Sequence, residues 1–115
     1  MYVYDKAHEL ARSLKESEEY REYIRLKEIA FEDSTNKALL EEYKRLQFRL
    51  QAKMASGEPL PDEDMQRMNQ IGTLLQLNQD AGAYLLAEFR FQKLLADIFG
   101  ILADVAGIDP EMFAR

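Results

Sequence analysis

The sequence has no cysteine and no tryptophan, a single histidine, three prolines and five glycines among 115 residues. Without cysteine there can be no disulfide, no thiolate-bound zinc, no iron–sulfur cluster and no thiol nucleophile. His8 has only one carboxylate on its own helical face, Asp5, with Glu9 beside it, which is too few ligands for a metal site. No Glu-x-x-His pair occurs, so the usual di-iron bundle is excluded. Glycine-rich phosphate loops and a Ser–His–Asp set are absent as well. No metal, cofactor or catalytic residue is expected. The scarcity of proline and glycine predicts long regular elements.

A long uncharged apolar run is also missing. The greasiest stretch is AEFRFQKLLADIFGILADVAG, residues 87–107, and Glu88, Arg90, Lys93, Asp97 and Asp104 interrupt it. A membrane-spanning helix needs about 20 mostly apolar residues, so this segment is not one. The N-terminus, MYVYDKAHEL, has no apolar signal-peptide core, which predicts a cytoplasmic protein.

The net charge is −6, and its excess lies in one half. Residues 1–55 carry 11 basic and 11 acidic side chains, whereas residues 56–115 carry 4 and 10. A chain of this sign lacks the cations that release counterions from a phosphate backbone, which argues against direct nucleic-acid binding.

What the chain does have is helical periodicity nearly throughout. Val3, Ala7, Leu10 and Leu14 define one face of a first helix. Ser17 predicts the cap of a second, ending near Phe31, and Asp33 or Ser34 the cap of a third. On that third helix Leu39, Tyr43, Leu46, Leu50 and Met54 form a seam close to that of a coiled coil. SGEPLP then breaks the chain, with Gly57 suited to a left-handed cap and Pro59 and Pro61 blocking continuation. From Asp62 to Val105 no strong stop appears, although QLNQD can kink or split the segment. The expectation is one all-α domain over residues 1–115: a long antiparallel helical hairpin with shorter N-terminal helices packed on it.

In residues 87–107 only Lys93, Asp97, Gly100 and Asp104 form a polar stripe, so the helix there is apolar over most of its circumference. Such a helix is buried on more than one side, either inside a single-chain bundle or against a second subunit. The second alternative predicts a homodimer whose interface draws on Phe91, Leu95, Ile98, Leu102 and Val105. Two further features bear on function. Lys37, Glu41, Arg45, Arg49 and Lys53 recur every four residues, with Lys44 adjacent. This ridge is either a solvated face with a Glu41–Arg45 pair or a strip that docks an acidic protein or RNA phosphates. Tyr84 and Glu88 lie one turn apart, which suits either a structural hydrogen bond or a small-ligand or catalytic pocket.

Three stretches in order, LKESEEY, YKRLQFRLQAKMASGEPLPDEDM and LNQDAGAYLLAEFRFQKLLADI, resemble the YlbF/YmcA group, which includes the YheA-like proteins. The resemblance rests on Leu46, Gln47, Gln51, Gly57, Asn78, Tyr84, Ala87, Glu88 and Leu95 and spans nearly the whole chain. It implies an all-helical, commonly oligomeric protein without catalytic residues. YlbF and YmcA act with the protein YaaT in a complex that affects competence, sporulation and biofilm formation and is linked to mRNA processing by ribonuclease Y. Cysteines of that complex hold iron–sulfur clusters; this chain carries none over and stands nearer a cysteine-free branch. The implied role is a non-enzymatic adaptor with protein partners.

Overall fold

The computed structural model describes residues 2–107, and the expected single unit over 1–115 extends past this range at both ends. The described residues form five helices: α1 (Tyr2–Glu16), α2 (Glu18–Glu32), α3 (Ser34–Ala55), α4 (Asp62–Leu77) and α5 (Gln79–Ala106). No strand occurs among them. None of these helices is long and apolar enough to cross a membrane.

Each boundary has a chemical cause. The Ser17 hydroxyl oxygen accepts from the Tyr20 N–H at 3.2 Å and starts α2. Asp33 Oδ1 accepts from the N–H groups of Thr35 at 2.8 Å and Asn36 at 3.1 Å and starts α3. Gly57 adopts φ 77°, the left-handed conformation that ends α3 without a side-chain clash. Asp62, Glu63 and Asp64 then load the first turn of α4 with negative charge, favourable against the helix dipole. Gly107, at φ 68°, closes α5 in the same way as Gly57 closes α3.

Helices α3 and α4 form the antiparallel hairpin. The returning limb is not one helix, however. It breaks at Asn78, which leaves helical geometry (φ −95°, ψ 120°) and caps α5 by accepting from the Ala81 N–H at 2.9 Å. That break lets α5 turn away from α3 and lie chiefly along α2. Ring contacts fix the direction: Tyr20 packs on Phe91 at 5.3 Å and Phe31 on Tyr84 at 5.7 Å, so α2 and α5 run antiparallel.

The core is drawn from four helices: Ala30, Leu40, Leu46, Ile71, Leu75, Ala81 and Tyr84. Leu40 takes the deepest position on α3, beside the expected seam rather than on it, and Met54 at the seam's end is exposed. A straight helix drifts relative to a 3.5-residue repeat, and the seam drifts with it. The larger departure from expectation is α1. It buries no residue, and among the described helices it packs extensively only against α2, so it is not packed on the hairpin.

Candidate functional site

Position by position, α3 directs its polar residues across the bundle rather than along itself. The Glu41–Arg45 pair suggested by the spacing does not form. Instead Arg67 on α4 donates from Nε and Nη2 to the two carboxylate oxygens of Glu42, both at 2.8 Å. This two-point hydrogen bond holds Glu42 below the usual carboxylate range and Arg67 above its own. Arg49 Nη2 lies 2.9 Å from Asp64 Oδ2, an ion pair by distance whose angles fall short of a hydrogen bond. Lys53 pairs with Glu58 beyond the turn at 3.0 Å. Of the basic ridge, then, Arg49 and Lys53 clamp the hairpin turn, while Lys37 and Arg45 are exposed and form no ion pair among the described residues.

Lys44, adjacent to the ridge in sequence, points elsewhere. Its ammonium donates to the Tyr84 hydroxyl at 2.6 Å and pairs with Glu88. Tyr84 in turn donates to Glu88 Oε2 at 2.8 Å. Tyr84 is fully buried, and its ring is covered by Tyr23 on one side and by Phe31 edge-on. Burial first, and then the hydrogen bond to Glu88, push its hydroxyl well above the ordinary tyrosine range. Tyr84 and Glu88 thus meet as the spacing suggested, in a closed three-residue network rather than an open pocket. A cleft of about 330 Å³ does open nearby, between the start of α2 and α5. Its lining is Glu18, Glu19, Glu22, Ala87 and Arg90, and neither Tyr84 nor Glu88 belongs to it. Among the described residues no group of three or more His, Asp or Glu side chains is placed to hold a metal ion.

The expected interface stripe divides in two. Phe91 is committed inside the chain, stacked on Tyr23 at 5.5 Å and met edge-on by Tyr20. Leu95 and Ile98 are half-buried. Leu102 is 56% exposed and Val105 89%, with Ile101 exposed beside them. A second apolar set, Leu86 and Phe89, is exposed on the side of α5 away from Tyr84.

The chain is similar to known proteins along nearly all of its length. The profile described as "Control of competence regulator ComK, YlbF/YmcA" matches residues 3–105. A UPF0342 protein of Halothermothrix orenii is 37% identical over 102 residues, covering 89% of this chain and 86% of its own. A UPF0342 protein of Caldicellulosiruptor bescii is 36% identical over 111 residues, covering 96% and 93%. Two solved structures share the fold. One is a protein of unknown function (DUF964) from Bacillus stearothermophilus, with TM-score 0.77, 18% identity and 93% of this chain and 94% of that one covered. The other is Bacillus subtilis RicA, solved in complex with RicF, with TM-score 0.61, 19% identity and 92% and 94% coverage. At these identities the structures speak for the fold alone. The family match over residues 3–105 and the relatives above 30% identity go further: this chain belongs to the YlbF/YmcA family of competence-control regulators.

Proposed function

We propose that the chain is a non-enzymatic cytoplasmic adaptor that regulates through helix–helix contact with other proteins. The observation that carries this reading is where its chemistry faces. In the Lys44–Tyr84–Glu88 network the Tyr84 hydroxyl is buried and the three polar groups bond to one another. Large apolar side chains such as Phe48, Leu77, Leu86 and Phe89 are turned to solvent. General acid–base chemistry needs a polar group within reach of substrate, whereas docking of helices needs exposed apolar side chains flanked by charge. Membership of a regulator family, and a structural neighbour solved in complex with another protein, support the same reading. The regulated processes would be those of the family, competence with its linked sporulation, biofilm and ribonuclease Y-dependent mRNA programmes. Lys37 and Arg45 give the surface two cations with which to select an acidic partner, and the clamping of Arg49 and Lys53 leaves less of the ridge for RNA.

Complementation of a host lacking the chain tests this. Tyr84→Phe with Glu88→Gln should restore competence, whereas Leu86→Glu with Phe89→Glu should fail while keeping the helical circular dichroism. The opposite pattern, loss with the first pair and restoration with the second, would replace the adaptor by an enzyme or ligand-binding reading.

A further inference from the structure

The outer face of α3 is built from side chains the bundle does not use. Leu40 and Leu46 mark the inward side of this helix. Opposite them run Lys37, Glu41, Arg45, Phe48 and Ala52, at steps of 4, 4, 3 and 4, and all five are exposed. Phe48 is 72% exposed, and among the described residues its ring stacks on no other ring and meets no cation. Leaving such a ring in water forgoes about 1.5–3 kcal/mol of burial. A single exposed aromatic is ordinary on any protein surface, so the charges around it must decide what covers it.

Those charges are sorted. Lys44, Arg49 and Lys53 on the same helix are neutralised within the chain, by Glu88, Asp64 and Glu58. Glu42, the carboxylate nearest Arg45 on the side of α4, is held by Arg67. Lys37 and Arg45 form no ion pair among the described residues, although the chain as a whole carries a net charge of −6. Two unneutralised cations thus flank one exposed ring on a straight strip, with Glu41 as its single carboxylate.

We infer that this strip docks an acidic amphipathic helix of another protein. The inference rests on the adaptor reading and gives it a second face, since Leu86 and Phe89 belong to α5. From Lys37 to Ala52 the strip runs about 22 Å, the length of four helical turns. The partner helix sets an apolar side chain against Phe48, a carboxylate about one turn away against Arg45 and another about three turns away against Lys37. Glu41 demands a neutral or basic residue opposite it, which rejects helices that are acidic along their whole length. Single-stranded RNA can also stack a base on an aromatic between cations, but a net charge of −6 disfavours a phosphate backbone.

The chain has no tryptophan, so a synthetic peptide helix with one Trp opposite Phe48 and Glu opposite Arg45 and Lys37 reports its own binding by fluorescence. Phe48→Ala should weaken binding about tenfold, and so should Lys37→Glu with Arg45→Glu, whereas Glu41→Gln should tighten it. The same peptide with Lys replacing its Glu should not bind. None of these positions belongs to the core, so helical circular dichroism should survive in every variant. Failure of the acidic peptide to bind at about 1 mM, equal affinity for wild type and variants, or a uridine oligonucleotide bound in its place would each overturn the inference. In the complementation assay the Phe48→Ala and Lys37→Glu/Arg45→Glu variants should also fail. If they restore competence while Leu86→Glu with Phe89→Glu does not, the α3 strip is struck out and the adaptor reading stands.

Discussion

The Lys44 ammonium lies 2.6 Å from the Tyr84 hydroxyl, joining α3 to α5 across forty residues of chain. The hydroxyl accepts from Lys44 and donates to Glu88, so its proton and one of its two lone pairs are satisfied within the core. Lys44→Met would leave the Glu88 carboxylate, whose side chain is only 14% exposed, with the Tyr84 hydrogen bond but without its countercharge. Breaking a fully buried pair costs about 3–5 kcal/mol; with Lys44 38% exposed, solvent screening reduces the expected loss to about 1–2 kcal/mol. Urea unfolding should show that loss, and adding Glu88→Gln should recover part of it. A double variant weakened by the full sum of the two single losses would mean that the groups act independently.

Tyr84 should also give the protein an alkaline limit. Its folded-state pKa is raised, so the stability tied to its proton is fully present below the ordinary tyrosine value of 10.0 and is lost as pH rises above it. Thermal unfolding followed from pH 9 to pH 11, about one unit either side of that value, should fall more steeply for wild type than for Tyr84→Phe. Parallel curves would show that the buried hydroxyl does not control this limb.

The Glu42–Arg67 pair sets the opposite limit. The folded-state pKa of Glu42 is depressed, chiefly by the hydrogen bonds from Arg67, so its contribution is present above the ordinary carboxylate value of 4.5 and is lost as pH falls through the folded-state value. Arg67→Met should therefore lower the Tm at neutral pH by a small amount, as befits a solvent-exposed pair, and the gap from wild type should close in acid. A gap that persists below the carboxylate range would point to lost packing of the arginine stem instead.

These networks show where the sequence stopped being informative. Helix identities, the Ser17 and Asp33 caps and the Gly57 turn are local, set by residues within four positions of one another, and they were readable. Tyr84 and Glu88 are one helical turn apart and could be paired on that ground. Lys44 could not be joined to them, because nothing in a one-dimensional pattern links positions 44 and 84; it read as part of a surface ridge. The same holds for Arg49, whose partner Asp64 looked like a charge serving the α4 dipole. Apolar periodicity marked residues 87–107 as covered on two sides. Only the ring contacts of Phe91 and the exposure of Leu102 divide that stretch between the chain's own α2 and open surface. That α1 buries nothing was invisible to periodicity, since an amphipathic helix has the same pattern whether its partner belongs to its own chain or to another.

The split between α4 and α5 yields a test in which charge, not size, decides. Asn36 is buried and donates from Nδ2 to Asn78 Oδ1 at 3.2 Å, while the same oxygen accepts from the Ala81 N–H and caps α5. Position 78 therefore uses only acceptor capacity in these bonds, and position 36 acts as a donor. Asn78→Asp keeps both acceptor roles and adds negative charge at a helix N-terminus, so its stability should stay within about 0.5 kcal/mol of wild type. Asn36→Asp turns the donor into a second carboxylate-type acceptor facing Asn78 Oδ1, at an expected cost of about 1–3 kcal/mol. Asn78→Ala, which loses the cap and strands the Asn36 amide, should cost about 1–2 kcal/mol. Urea unfolding of the three variants checks the order. Equal losses for Asn36→Asp and Asn78→Asp would mean that the two amides are held the other way round, with Asn78 as the donor and α5 capped by water.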